Sequence, residues 1–183
     1  SNGSGSFSLS RRFDDDNPSL TAFDVGSVRV RLVDDDTGAA TRSLNLRVEN
    51  VAPVITSLDL SRAVIREGDS VALIGTFTDP GWLDTFHVDV DWGDGLFVPY
   101  ALPAVGSFAN GHGQFRLEKT FVDDHPGTGT PQDTFNIRVR VRDDDTGFAV
   151  ATRSLVVQDV PPTLSDIQWA SAVVDEMGTA VLS

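Results

Sequence analysis

"DTFNIRVRVRDDDTGFAVATRSLVV", residues 133–157, decides the fold class. In its first half Phe135, Ile137, Val139 and Val141 fall on one side of an extended chain, and Asn136, Arg138, Arg140 and Arg142 on the other. Residues 148–157 read as a second strand. Between them stands Asp143-Asp144-Asp145-Thr146-Gly147. Aspartate makes turns because its side chain bonds nearby backbone amides, and Thr-Gly completes the reversal. The stretch therefore reads as an antiparallel hairpin.

The hairpin occurs twice. "RVRLVDDDTG" at 29–38 returns as "RVRVRDDDTG" at 138–147. Around it, "SNGSGSFSLSRRFDDDNP" (1–18) lies over "ANGHGQFRLEKTFVDDHP" (109–126), and "ATRSL" stands at both 40–44 and 151–155. "VENVAPVI" (48–55) parallels "VQDVPPTL" (157–164), and Glu67 falls over Glu176. A period of about 109 residues is the signature of a tandem array. It divides the chain into the back of one repeat (1–50), a whole one (51–160) and the front of a third (161–183). By this alignment the outer pieces lack the counterpart of roughly 74–108.

Inside 51–160 strand-type alternation dominates and no helical period stands out. "PVITSLDL", "SVALIGTF", "TFHVDVDW" and "HGQFRLEKTF" precede the hairpin. Turn residues separate them at Glu67-Gly68-Asp69, Asp79-Pro80-Gly81, Gly93-Asp94-Gly95 and Pro126-Gly127. Seven or eight short strands in about 110 residues predict an all-β fold, an immunoglobulin-like antiparallel β-sandwich. "VPYALPAVGSFANG" reads as a long loop, and "TFHVDVDW" places Phe86, Val88, Val90 and Trp92 inward and His87, Asp89 and Asp91 outward.

Composition narrows the function. The net charge of −13 and a pI near 4.3 argue against nucleic acid or anionic membrane as partner, and no stretch is apolar enough to insert in a bilayer. Of 27 acidic residues only Glu49, Glu67, Glu118 and Glu176 are glutamates, so the acid is aspartate gathered in turns. Without cysteine there are no disulfides or thiolate metal sites. His87, His112 and His125 lack metal-ligand spacing, and no nucleophile elbow or phosphate loop occurs. The sequence therefore reads as a non-enzymatic module.

Four motifs in order, "REGDSVALIGTFTDPG", "VDVDWGDG", "RVRDDDTG" and the boundary "VENVAP", resemble the PKD (polycystic kidney disease) domain. The resemblance covers 51–160 and both partial repeats; Phe121 in "KTFVDD" replaces the usual tyrosine. It implies tandem modules of bacterial or archaeal surface proteins, or companions of secreted hydrolases. The expected location is extracellular or at the cell surface.

Strands of such a sandwich alternate in direction. The loop after the second strand, the final hairpin turn and the linker leading into the first strand then share one end. Asn50, Asp79, Asp84, Asp143, Asp144 and Asp145 are thereby gathered. Two readings are open: a solvated turn cluster, or a site for Ca²⁺, which takes six to eight oxygen ligands in flexible geometry. The PKD resemblance implies Ca²⁺ held by Asn50, Asp79, Asp143 and Asp145, with Asp84 beside them. The repeats at either side would carry only broken sites, at Asp34 and Asp36 and at Asp159.

Asp89 and Asp91 are expected to pair across strands with Arg138 and Arg140 on a flat face, which suits ion pairs and not carboxylate catalysis. Exposed aromatics offer a different function: Trp82 and Tyr100, with Phe97, as contacts for polysaccharide or a surface protein in an accessory module of a secreted hydrolase. The first expectation is instead a structural and adhesive rod, stiffened by Ca²⁺ and by Pro53, Pro161 and Pro162 in the linkers. Its partners would be neighbouring repeats of the same chain, and other copies meeting the incomplete terminal strands.

Overall fold

The strand alternation read from the sequence takes shape as two packed sheets in a computed structural model, which describes residues 4–16, 20–124, 129–168, 170 and 173–181. In chain order the elements are β1 (Phe23–Val33), β2 (Ala39–Glu49), β3 (Val54–Leu60), β4 (Val64–Arg66), β5 (Ser70–Thr78), β6 (His87–Asp91) and β7 (Val98–Ala101). There follow a one-turn helix, α1 (Leu102–Val105), then β8 (Gly106–Ala109), β9 (His112–Thr120), β10 (Gln132–Arg142) and β11 (Phe148–Gln158).

One sheet runs β4-β11-β10-β6-β7 and the other β3-β5-β9-β8; β1 and β2 form a separate hairpin. The inward rows are the expected ones. Phe135, Ile137, Val139 and Val141 of β10 face Leu73, Phe77, Phe115 and Leu117 across the sandwich, and all are buried. Each such side chain contributes about 1.5–3 kcal/mol by leaving water. Aromatic groups close the two ends. Phe77, Phe86 and Phe108 meet with centroids 4.5–5.8 Å apart, and Phe121 lies between Trp92 and Phe135 at 6.4 and 4.9 Å. The fold class is therefore an all-β sandwich.

Five details depart from the sequence reading. β4 pairs with β11 in parallel, because the chain leaves β3 in one sheet and crosses to the other without reversing. The stretch read as a long loop contributes β7 to one sheet and β8 to the other, with buried Leu102 between them. Residues 4–16, whose sequence matches β9, carry no strand. β9 is built between β5 and β8, and the repeat to which 1–50 belongs has no counterpart of either in this sequence. No strand forms among the described residues beyond β11.

The fifth concerns Asp89 and Asp91. They lie on the outward face yet are only 1% and 2% exposed. Arg138 and Arg140 pair with them in the expected register, at 2.6 and 2.7 Å, and Arg142 adds a second bond to Asp89 at 2.7 Å. Phe97 covers the two guanidinium groups at 5.1 and 4.9 Å from its centroid. Periodicity assigns a face; it does not show that long side chains will roof it. His125 and the expected Pro126-Gly127 turn lie outside the described residues.

Candidate metal centre

Because β5 and β10 run toward the same end, the β5–β6 loop and the β10–β11 turn meet there, and the linker from β2 to β3 joins them. We call this end the head pole. Asn50 from the linker donates from Nδ2 to Asp143 Oδ2 at 2.9 Å and to the Asp145 carbonyl at 3.2 Å. Asp143 Oδ1 accepts the amides of Asp145 and Gly147, at 3.0 and 2.7 Å. Asp144 turns the other way and accepts the Thr85 amide at 2.9 Å, fastening the turn to the β5–β6 loop. Asp79 Oδ1 accepts the Gly81 amide at 2.7 Å.

Two glycines permit this crowding. A Cβ on Gly147 would come within 2.8 Å of the Ala52 backbone, and one on Gly81 would meet the Asp84 carboxylate.

Asp79, Asp84, Asp143 and Asp145 are 3%, 8%, 5% and 0% exposed. Asp79 Oδ2, Asp84 Oδ2 and Asp145 Oδ2 are buried without a hydrogen-bond partner. Burying charged oxygens in that state is costly, and native proteins pair nearly all such atoms. Ligand oxygens of Asp79, Asp84 and Asp143 lie within 4.8 Å of one another. Burial pushes the Asp84 carboxyl up to about 8, with Asp79 and Asp15 adding to the effect. Burial also lifts Asp79 to about 6, reinforced by Asp143 and Asp144 and opposed by the Gly81 amide.

The preceding repeat supplies what the sequence reading missed. Its loop before β1 lies on the head pole. Trp82 N–H donates to the Asp14 carbonyl at 2.9 Å, and Leu20 N–H to Asp145 Oδ1 at 2.6 Å and the Asp144 carbonyl at 3.0 Å. Asn50 N–H donates to the Ala22 carbonyl at 3.1 Å. Oxygens of Asp15, Asp84 and Asp145 form a second set within 4.8 Å, so Asp84 belongs to both. Asp16 is 5% exposed, its Oδ2 is buried without a hydrogen-bond partner, and burial beside Asp145 raises it to about 6. A cleft of about 100 Å³ opens among Asp14, Asp15, Asp16, Asn50, Gly81 and Asp84, room for an ion and its waters. The available signal was the repeat itself, since Asp15 and Asp16 align with Asp123 and Asp124 at the opposite end of the whole unit.

Of the aromatic candidates, Trp82 lies in the β5–β6 loop at the head pole, whereas Tyr100 stands apart from it. Trp82 is 45% exposed, but the Arg12 guanidinium lies 3.9 Å from its ring centroid. Tyr100, on β7, is half-buried and packs on the core. Asp34, Asp35 and Asp36 are exposed, as is Asp159.

No protein-family description and no curated protein matches this chain. Among solved structures, one similar chain is the Pseudomonas fluorescens alkylpurine DNA glycosylase AlkC bound to DNA containing an abasic site analog. It is 15% identical with a TM-score of 0.37, over 58% of this chain and 30% of that one. Another is mouse clustered PcdhgC3 EC1-3, 12% identical with a TM-score of 0.28, over 78% of this chain and 56% of that one. This chain thus spans less than two thirds of either. No helix among the described residues is long and apolar enough to cross a membrane.

Proposed function

We propose that this chain is part of an extracellular, non-catalytic array of PKD-like repeats, in which Ca²⁺ stiffens the joint between repeats so that the array acts as a structural or adhesive rod. The observation that carries it is the set of buried, unpartnered carboxylate oxygens on Asp16, Asp79, Asp84 and Asp145, which two repeats contribute to one pole. A hard cation that prefers oxygen suits these carboxylates, in either of the two sets within 4.8 Å, Asp79-Asp84-Asp143 and Asp15-Asp84-Asp145. Asn50, Asp79, Asp84, Asp143 and Asp145 would hold it, with Asp15 and Asp16 reaching in from the preceding repeat.

A cation there would join the two repeats through ligands, in addition to the backbone bonds of Leu20, Trp82 and Asn50. Ala52-Pro53 restricts the linker further, since proline fixes its own φ and holds its predecessor extended. Outside the cell, modules of this kind work with weak sites, of about 10⁻⁴–10⁻³ M.

Thermal melts of the whole chain in millimolar Ca²⁺ and in chelator test the reading. A ligand that binds only the folded form must raise the midpoint; at a hundredfold excess over Kd it adds about 2.7 kcal/mol. Superimposable melts would remove the cation from the joint.

A further inference from the structure

A second acidic group lies at the opposite end of the 51–160 unit, which we call the tail pole. β9 ends and β10 begins there, and Glu67 follows β4. Ligand oxygens of Glu67, Asp123 and Asp124 lie within 4.8 Å of one another. Clustered acids alone mean little on so acidic a chain. Here, however, Asp124 is 8% exposed and its Oδ2 is buried without a hydrogen-bond partner. Glu67 is held in place for its part. Its Oε1 accepts the Asp124 amide at 3.0 Å and its Oε2 the Val160 amide at 3.1 Å, which ties it to the linker leaving the unit. Both carboxylate oxygens keep lone-pair capacity after those bonds.

The internal repeat gives these residues a second meaning. Asp123 and Asp124 align with Asp15 and Asp16, and Val160 with Val51. Asp15 and Asp16 are the residues that the preceding repeat lays on the head pole. The tail pole of the whole unit therefore presents the same loop, toward whatever follows Val160.

We propose that Glu67, Asp123 and Asp124 form a second divalent-cation site, the tail half of the next joint, to which the aspartate-rich head pole of a following repeat docks. The proposal extends the rod reading but does not need the head-pole site to be filled. Ca²⁺ is the chemical class that fits, because all three ligands are carboxylates and the Glu67 end is open to water. Three carboxylates without a closing partner make a weak site. A following repeat would complete it as Asp84 and Asp145 complete the set with Asp15.

Calorimetric titration of the whole chain with CaCl₂ tests this, comparing wild type with Asp123→Asn, Asp124→Asn and Asp84→Asn. Circular dichroism checks that each variant keeps its sheets. Asp123 is exposed, so its variant answers the question even if Asp124→Asn fails to fold. The expected result is loss of one class of site, or weakening by at least about tenfold, in the tail variants; that is the least a ligand change costs when loss of an outer-shell partner already costs 10–100-fold. Asp84→Asn should leave that class intact. Tail variants that bind as many Ca²⁺ as wild type, with unchanged affinity, would overturn the tail site. If instead Asp84→Asn alone leaves binding unaltered, the head-pole reading falls and the tail site stands.

Discussion

The molecule contains the same turn twice in different company. Asp34-Asp35-Asp36-Thr37-Gly38 and Asp143-Asp144-Asp145-Thr146-Gly147 close their hairpins alike. The first aspartate donates its amide to the glycine carbonyl, at 3.0 Å in one and 3.1 Å in the other, and its Oδ1 accepts the glycine amide. Both threonines take a left-handed backbone, φ 73° and 78°. Yet all three aspartates of the first turn are exposed, whereas Asp143 and Asp145 are 5% and 0% exposed. Local sequence makes the turn without help. The site is made by the neighbours that cover it: the β5–β6 loop, the linker and the loop of the preceding repeat.

Paired substitutions sharpen that contrast, beginning with the strands that carry the turns. Arg138→Ala should cost about 3 kcal/mol in urea unfolding. It strands the buried Asp91, and the Gly93 and Gly95 amides keep the loss at the lower end for a broken buried pair. Its counterpart Arg29→Ala, on exposed β1, should stay within about 0.5 kcal/mol. Equal losses would mean that the two hairpins are equally supported.

Next comes the cation. Asp145→Asn should remove most of the Ca²⁺-dependent rise in melting midpoint, about 2–3 kcal/mol at saturation, while Asp36→Asn leaves it whole. The new side chain keeps an acceptor for the Leu20 amide, so the difference reports charge and ligation. The same melts across pH add a second readout. Asp79 and Asp84 are raised in the folded state, to about 6 and 8, so between about pH 4 and 8 the native protein holds protons that the unfolded chain has released. Their contribution to metal-free stability is therefore full below about pH 4 and falls as pH rises through 6 to 8. Saturating Ca²⁺ should flatten that decline. A metal-free midpoint that climbs over the same interval would contradict the burial of these carboxyls.

The smallest contrast concerns close approach. Gly147→Ala sets a methyl against Ala52 and should cost about 1–2 kcal/mol by overpacking. A Cβ on Gly38 would meet only the movable end of Asp34, and Gly38→Ala should cost under about 0.5 kcal/mol. Midpoints in urea decide it.

Much of this was legible in sequence because strands obey a period of two and alternate in direction. Those two facts place Asn50, Asp79, Asp84, Asp143 and Asp145 together, and put Phe135, Ile137, Val139 and Val141 inside. What was not legible depends on partners that no period encodes. Residues 4–16 carry the pattern of β9 and make no strand, since a strand needs neighbours for its amides. Asp15 and Asp16 reach the head pole because of the way one repeat meets the next, through the backbone bonds of Leu20, Trp82 and Asn50. Asp89 and Asp91 alternate outward as read, and became buried only because Arg138, Arg140, Arg142 and Phe97 lie over them.

The parallel pairing of β4 with β11 has a mechanical consequence. The chain comes in at the head pole and departs at the tail pole, so tension along an array would drag β4 toward one end and β11 toward the other. The bonds joining Val64, Ile65 and Arg66 to Val156, Val157 and Gln158 would then be loaded in shear, all together, and not peeled one after another. In such an array these three residues of strand would act as a latch against pulling.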